Sequence, residues 1–307
     1  VGRGAALALV NPAASQGAAA RLWPRLVPLL QRQFPDLTVR ITQAPGDAER
    51  WAGEWNSEHP EHPVFAVGGD GTVHEVVNGL LSGSRSVRLG IIPAGTGNDV
   101  ARNTGIPSDP TAAVERLSHG RPISVDAARL RFHTPTGLPQ SRFFINSTSV
   151  GVSPRANRIA ATVRRILPGR ICYALGGILA LVAEGAGDYT VTSAGRILHS
   201  GPALNITLAN GASFGGGMRI SPASTVSDGV LDQVVIGAIG RFRAILALSR
   251  LYAGSHVRMG GISVTPVRET VHILRTDAAM LIEADGEEFE AANELSVDIL
   301  PGAVQLL

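Results

Sequence analysis

The run Val64-Phe65-Ala66-Val67 feeds without a spacer into Gly68-Gly69-Asp70-Gly71-Thr72, and a helical pattern starts at Val73. An apolar strand that turns through glycine directly into a helix is the joint of a parallel α/β sheet, because parallel strands need a crossover packed on the sheet face. The neighbouring sequence repeats the theme. Residues 5–10 read as a buried strand, and residues 18–33 follow with Leu22, Leu26, Leu29 and Leu30 at helical spacing. Strand 37–42, helix 47–56, helix 73–81 and strand 88–92 extend the alternation, which predicts a parallel sheet with helices on both faces.

From residue 123 the texture changes. Segments 123–132, 142–148, 189–197, 203–209, 231–236, 262–266, 271–274, 280–284 and 295–300 read as strands separated by Gly, Pro and Ser clusters, the signature of a sandwich or barrel. Helical insertions interrupt it near 157–183 and 241–252. The expected fold class is therefore α/β plus all-β. A nucleotide-type α/β domain spans 1–122 and a β-sandwich domain spans 123–294, with 295–307 able to pack back on the first.

Composition narrows the chemistry. The 27 basic residues are all arginine, against 25 acidic residues, for a net charge of +2. Without lysine there is no Walker A loop, no protein-kinase-like strand lysine and no Schiff base. The small net charge argues against a nucleic-acid partner. A single cysteine, Cys172, excludes an internal disulfide and a cysteine-based zinc cluster and suggests a reducing compartment. Residues 1–10 show no signal-peptide pattern, and the longest apolar stretch, 171–183, is too short for the roughly 20 residues of a membrane span. The expectation is a soluble, cytoplasmic protein.

Three loops carry chemistry, each after a strand of the predicted parallel sheet, where ligands of such sheets bind. Glycines in Gly68–Thr72 let the backbone approach a phosphate, and the following helix N-terminus offers free N–H groups. Asp70 is at odds with a bare phosphate, a conflict that a bridging Mg²⁺ removes. The plain alternative is a tight turn capped by Asp70. In chain order the third loop is Pro93-Ala94-Gly95-Thr96-Gly97-Asn98-Asp99-Val100-Ala101-Arg102, whose imperfect GxGxxG is weak evidence for a dehydrogenase. The first in chain order is Asn11-Pro12-Ala13-Ala14-Ser15-Gln16-Gly17, with Gly68–Thr72 the second. Convergence of three such loops on one ligand is more specific than any one of them.

Asn11-Pro12, the GGDGT run and the PAGTGNDVAR run together resemble the diacylglycerol kinase catalytic family, which includes bacterial lipid kinases and sphingosine kinases. The similarity continues in order through Asn210, Gly215-Gly216-Gly217, Ser221-Pro222-Ala223, Asp228-Gly229 and Asp285-Gly286-Glu287. The resemblance implies an NAD-kinase-like α/β domain followed by a β-sandwich, with ATP and a lipid acceptor meeting in a cleft. It implies that Asn11, Thr42, Gly68, Gly69, Asp70, Gly71, Thr72, Val73, His74, Gly95 and Thr96 line the nucleotide. Asp70 and Asp126 would organise Mg²⁺ and its water, and Asp285 and Glu287 would form the acid/base pair. Thr225, Asp228 and the backbone of Val230 match a structural cation site.

A strand through residues 285–287 would put both carboxylates on one face, where mutual repulsion raises the affinity of one for a proton and makes it a better base. The alternative is a solvated acidic turn, since Glu283, Glu288 and Glu290 surround the pair. Other candidates are weaker. His59 and His62 lie among prolines, without the helical spacing of a zinc protease, and Ser147 and Ser149 have no nearby His/Asp pattern.

The reading is an ATP- and Mg²⁺-dependent lipid kinase that phosphorylates the hydroxyl of a lipid such as diacylglycerol. The competing readings are a non-catalytic nucleotide or lipid sensor on the same fold and, more remotely, an NAD(P)-dependent oxidoreductase. A lipid acceptor calls for peripheral contact with the inner face of a membrane. The candidate segment is 155–183, where Arg155, Arg158, Arg164, Arg165 and Arg170 surround Ile159, Val163, Ile166 and Leu167. A helix with solvated arginines is the equal alternative there. A homodimer is only the base-rate expectation.

Overall fold

The computed structural model describes residues 4–83, 87–163 and 169–307. The chain forms two compact units, residues 1–127 with 301–307, and residues 128–300.

The first unit alternates β1 (Ala6–Val10), α1 (Ala14–Gln33), β2 (Leu37–Ile41), α2 (Asp47–Glu58), β3 (Val64–Gly68), α3 (Asp70–Leu81) and β4 (Val87–Pro93), followed by α4 (Asp99–Thr104) and α5 (Pro110–His119). The strands pair in parallel in the order β2-β1-β3-β4, and Val304–Leu306 add in parallel beside Val87–Leu89. Every residue of β1 and β3 is buried, as a strand covered on both faces requires. Leu26 and Leu30 of α1, Val114 of α5 and Phe65 of β3 meet in one apolar cluster. The order of strands reverses between β1 and β3, and the carboxyl ends at such a switch point leave a crevice for a ligand. Helix α5 escapes the periodicity, although Asp109-Pro110 announces it. The Asp109 side chain accepts the Ala112 amide and Pro110 occupies the first turn.

The second unit is antiparallel. It contains most of β5 (Ile123–His133), then β6 (Pro139–Phe144), β7 (Ser147–Gly151), α6 (Val152–Val163), α7 (Gly169–Ala183), β8 (Gly187–Ser193), β9 (Arg196–Ala209), β10 (Leu231–Gly237), α8 (Arg241–Arg250), β11 (Ile262–Val267), β12 (Val271–Arg275), β13 (Met280–Ala284), β14 (Glu287–Ala291) and much of β15 (Glu294–Leu306). The strand order is β14-β13-β7-β9-β8-β12-β15, with β10 and β11 extending from β9 and β6 pairing with β5. Phe144, Val150, Ile206, Leu208, Val235 and Ile282 lie in its sandwich core. The α/β-plus-sandwich expectation is borne out.

Three local expectations are corrected. Residues 142–148 are two strands, β6 and β7, broken at Ile145-Asn146. Residues 189–197 are a hairpin that turns at Ala194-Gly195, both in the left-handed region (φ 49° and 72°). Asp285 and Glu287 do not share a strand. Asp285-Gly286 is the two-residue turn joining β13 to β14, with φ of 50° and 94°. An Asp-Gly pair is the chemistry such a turn selects, so the alternating-face argument does not apply. Among the described residues no helix is long and apolar enough to cross a membrane.

Candidate active site

Each loop of the first unit is built by the strand before it. β1 ends at Val10, and the Asn11 amide donates to the Val67 carbonyl of β3. The Asn11 side chain then donates from Nδ2 to Thr72 Oγ1 at 3.1 Å and accepts the Ala13 amide at 3.0 Å. Ser15, Gln16 and Gly17 all have positive φ (48°, 55° and 87°) before α1 straightens. Left-handed geometry costs a non-glycine residue about 1–2 kcal/mol, so the surroundings must impose it. Ser15 Oγ lies 3.0 Å from Thr96 Oγ1, which fastens this strained loop to the third one.

The second loop opens α3, whose N-terminus carries no side-chain cap. Its first-turn amides have no acceptor within the helix, and the dipole end there favours an anion. The Ala94 amide donates to the Gly68 carbonyl. The two glycine loops also touch. A Cβ on Gly95 would fall 2.4 Å from Gly69 Cα, and one on Gly97 would fall 2.7 Å from Asp70 Oδ2. Asp70 Oδ1 accepts the Val100 amide at 3.2 Å. Asn98, with φ of 50°, closes the third loop by accepting the Gly95 amide and donating to the Gly95 carbonyl, both at 3.0 Å. Arg102 pairs with Asp99 and donates to the Gly97 carbonyl at 2.8 Å. The sequence reading missed Ser15 and Asn98. Both are polar residues in left-handed positions, and their role follows from contacts far along the chain or from loop closure.

The remaining predicted residues of this unit are placed differently. Thr42 donates its hydroxyl to the Val10 carbonyl at 3.3 Å, beside the end of β1. Val73 and His74 are buried, and the His74 ring lies 3.2 Å from the Asn78 amide nitrogen along α3. Asp126 is buried, and its Oδ1 accepts the Gly302 amide at 2.7 Å.

In the second unit the Asp285 carboxylate is a clamp. Oδ2 accepts the Ile145 amide at 2.7 Å, and Oδ1 accepts those of Asn146 and Ser147 at 2.8 and 3.1 Å. These are the amides exposed by the break between β6 and β7, so the break and the Asp-Gly turn hold each other. Buried Glu283 supports the same turn, a residue the sequence reading took only as part of an acidic run. Its Oε1 accepts the Gly286 amide at 2.6 Å and its Oε2 accepts the Ser149 hydroxyl at 2.8 Å. Glu287 lies exposed at the start of β14. Thr225, Asp228 and Val230 sit on one loop, where Asp228 Oδ1 accepts the Val230 amide at 3.1 Å.

Among the described residues no three His, Cys, Asp or Glu side chains gather to hold a metal. The oxygen donors present fit a hard cation all the same. Magnesium binds through one or two carboxylates together with substrate phosphates and water, and does not need a cage of protein ligands. Asp70 beside an uncapped helix N-terminus supplies that type of donor. Thr225, Asp228 and the Val230 carbonyl supply oxygen on the loop of the second unit.

Comparison with known proteins defines the class. Residues 5–130 match the diacylglycerol kinase catalytic domain, and residues 146–307 match the YegS C-terminal NAD kinase beta sandwich-like domain. A Klebsiella pneumoniae protein named "Probable lipid kinase YegS-like" is 32% identical over 206 residues, covering 67% of this chain and 66% of that protein. A Yersinia pestis protein of the same name is 30% identical over 274 residues, covering 88% of this chain and 86% of its own. The chain belongs to the YegS-like lipid kinase family. In fold it is similar to a crystal structure of a diacylglycerol kinase from Bacillus anthracis (TM-score 0.71, 23% identity, 98% of this chain and 95% of that one). It is more distantly similar to an Archaeoglobus fulgidus NAD kinase (TM-score 0.55, 13% identity, 96% and 90%).

Proposed function

We propose that this chain is an ATP-dependent lipid kinase that transfers the γ-phosphoryl group to the hydroxyl of a lipid such as diacylglycerol. The observation that carries the reading is the convergence of three loops at the switch point of the parallel sheet, held by the Asn11–Thr72, Ser15–Thr96 and Asp70–Val100 contacts. Phosphoryl transfer asks a protein mainly for positioning and charge stabilisation, and rigid glycine loops before a bare helix N-terminus supply both.

Magnesium, when bound, neutralises phosphate charge, and Asp70 is the carboxylate offered to it, with Asp126 as the second candidate. Gly68 to Thr72 and Gly95 bring backbone close to the phosphates, and Asn11 and Thr96 hold the neighbouring loops in register. In the second unit the two carboxylates divide the work. Asp285 spends three of its roughly four acceptor positions on backbone amides and so shapes the turn. Exposed Glu287 is the group open to take the proton from the acceptor hydroxyl. A water-insoluble acceptor makes the enzyme work at a membrane surface.

The test is incubation with γ-labelled ATP and a panel of diacylglycerol, a sphingoid base, phosphatidylglycerol and a polyprenol, followed by separation of products. Label in one lipid, lost in Asp70→Ala and Glu287→Ala variants that keep the parental circular dichroism, is the expected outcome. ATP binding without label in any hydroxyl lipid would refute the kinase and favour a nucleotide sensor.

A further inference from the structure

The arginine-rich segment nominated from sequence as a membrane contact looks different in three dimensions. Arg155 pairs with Glu184 at 3.2 Å, and Arg158 with Glu288 at 2.7 Å, so both are engaged by the protein's own carboxylates. Arg164, Arg165, Ile166 and Leu167, and the Arg170 side chain, lie outside the described residues.

The exposed apolar surface lies in the second half of that segment, on α7, and continues onto α8. Helix α7 turns Cys172, Gly176 and Ala180 inward and leaves Ile171, Ile178, Leu179 and Val182 at 52, 37, 45 and 55% exposure. Its Gly177 packs so closely on Leu248 of α8 that an added Cβ would fall 2.8 Å from the leucine Cδ2. Helix α8 buries Ala244 and Ala247 and exposes Phe242, at 82%, with Ile245 and Leu246. Scattered single exposed hydrophobics are ordinary, but two packed helices that each leave several large apolar residues facing outward are not.

Charge selects the occupant. Between Asp232 and Glu269 the chain has five arginines and no acidic residue. Arg241, Arg243 and Arg250 lie on α8 itself, and Arg243 gives one N–H to the Gly260 carbonyl at 2.8 Å. A face with an aromatic tip, a stripe of aliphatic side chains and, on α8, cations with no acid among them matches the boundary between acyl chains and anionic headgroups. A second copy of the same face would bring its arginines against like charge.

We propose that the outward faces of α7 and α8 dock on an anionic bilayer surface, with Phe242 as the inserted side chain and Arg241 and Arg250 on the headgroups. The proposal rests on the lipid-kinase reading for its purpose. Its test uses neither ATP nor acceptor, so the two fail separately.

The measurement is co-sedimentation with vesicles of 30% phosphatidylglycerol in phosphatidylcholine, against pure phosphatidylcholine. The parent binds the anionic vesicles. Phe242→Ser with Val182→Ser lowers partitioning about tenfold or more. Arg241→Gln with Arg250→Gln lowers it about 25-fold at low salt, at roughly fivefold per arginine, and much less in 0.5 M salt. All four positions are on the surface, and unchanged thermal melts confirm folding. Equal partitioning by parent and variants, or no preference of the parent for anionic vesicles, overturns the proposal. So does a parent dimer that Phe242→Ser dissociates while vesicle binding persists, since the face would then belong to a second copy. Failure of the parent to phosphorylate any lipid in detergent micelles would count against the kinase alone.

Discussion

Replacing Gly95 by alanine tests whether the two glycine loops must touch for the nucleotide site to exist. The added methyl would lie 2.4 Å from Gly69 Cα and 2.7 Å from Asn98 Oδ1. Carbon atoms rest about 3.5–4.0 Å apart, so the loops must separate by roughly 1 Å. The obstacle is backbone and cannot rotate away. Overpacking of this kind costs about 1–3 kcal/mol. The displacement falls on the Gly68–Thr72 loop and on the Asn98 bonds that close the third loop. If ATP binds there, restoring the bound geometry costs the same energy, which lowers affinity about 5- to 150-fold. The assay is equilibrium ATP titration of Gly95→Ala beside urea unfolding, with Gly83→Ala as the control, because nothing lies within 4 Å of a Cβ at Gly83. Reduced affinity in Gly95→Ala alone is expected. Parental ATP affinity in Gly95→Ala, with the loss of stability observed, would refute the claim that the touching loops form the nucleotide site.

Two further outcomes follow from single groups. Asp285→Asn keeps the left-handed turn, which asparagine tolerates, but leaves at least one of three backbone amides without a good acceptor, so unfolding in urea should show a loss of about 1–3 kcal/mol. Stability equal to the parent would remove Asp285 as the clamp of residues 145–147. Burial holds the His256 imidazole below its ordinary value near 6.5, against a smaller upward pull from its bond to the Ile220 carbonyl. The unfolded chain therefore takes up a proton that the folded one resists. Stability should fall as the pH drops below about 6.5, and His256→Gln should flatten that fall between pH 7 and 5. Identical pH profiles of melting temperature would exclude His256 as its source.

Much of this molecule is legible from residue order, because the interactions that specify it are local. A strand running into Gly68-Gly69 turns into a helix for reasons contained within a few residues. A fully apolar β1 or β3 announces burial on both faces, and Asp109-Pro110 would have given α5 to a closer reading. The three loops could be named as candidates on the same grounds, since each follows a strand directly. What the sequence could not decide is which distant groups meet. Ser15 reaches Thr96, Glu283 reaches Ser149, and the Asp285 carboxylate closes on amides at 145–147. Those partners are fixed by strand order and register, whereas the turn at Asp285-Gly286 was already written in the Asp-Gly pair itself. The arginines tell the same story. In sequence Arg155 and Arg158 are a basic run beside apolar residues, whereas in the fold they sit on Glu184 and Glu288, which packing brings to them. Charge along a chain records what is available for pairing, and only the packed structure settles which charges are already paired.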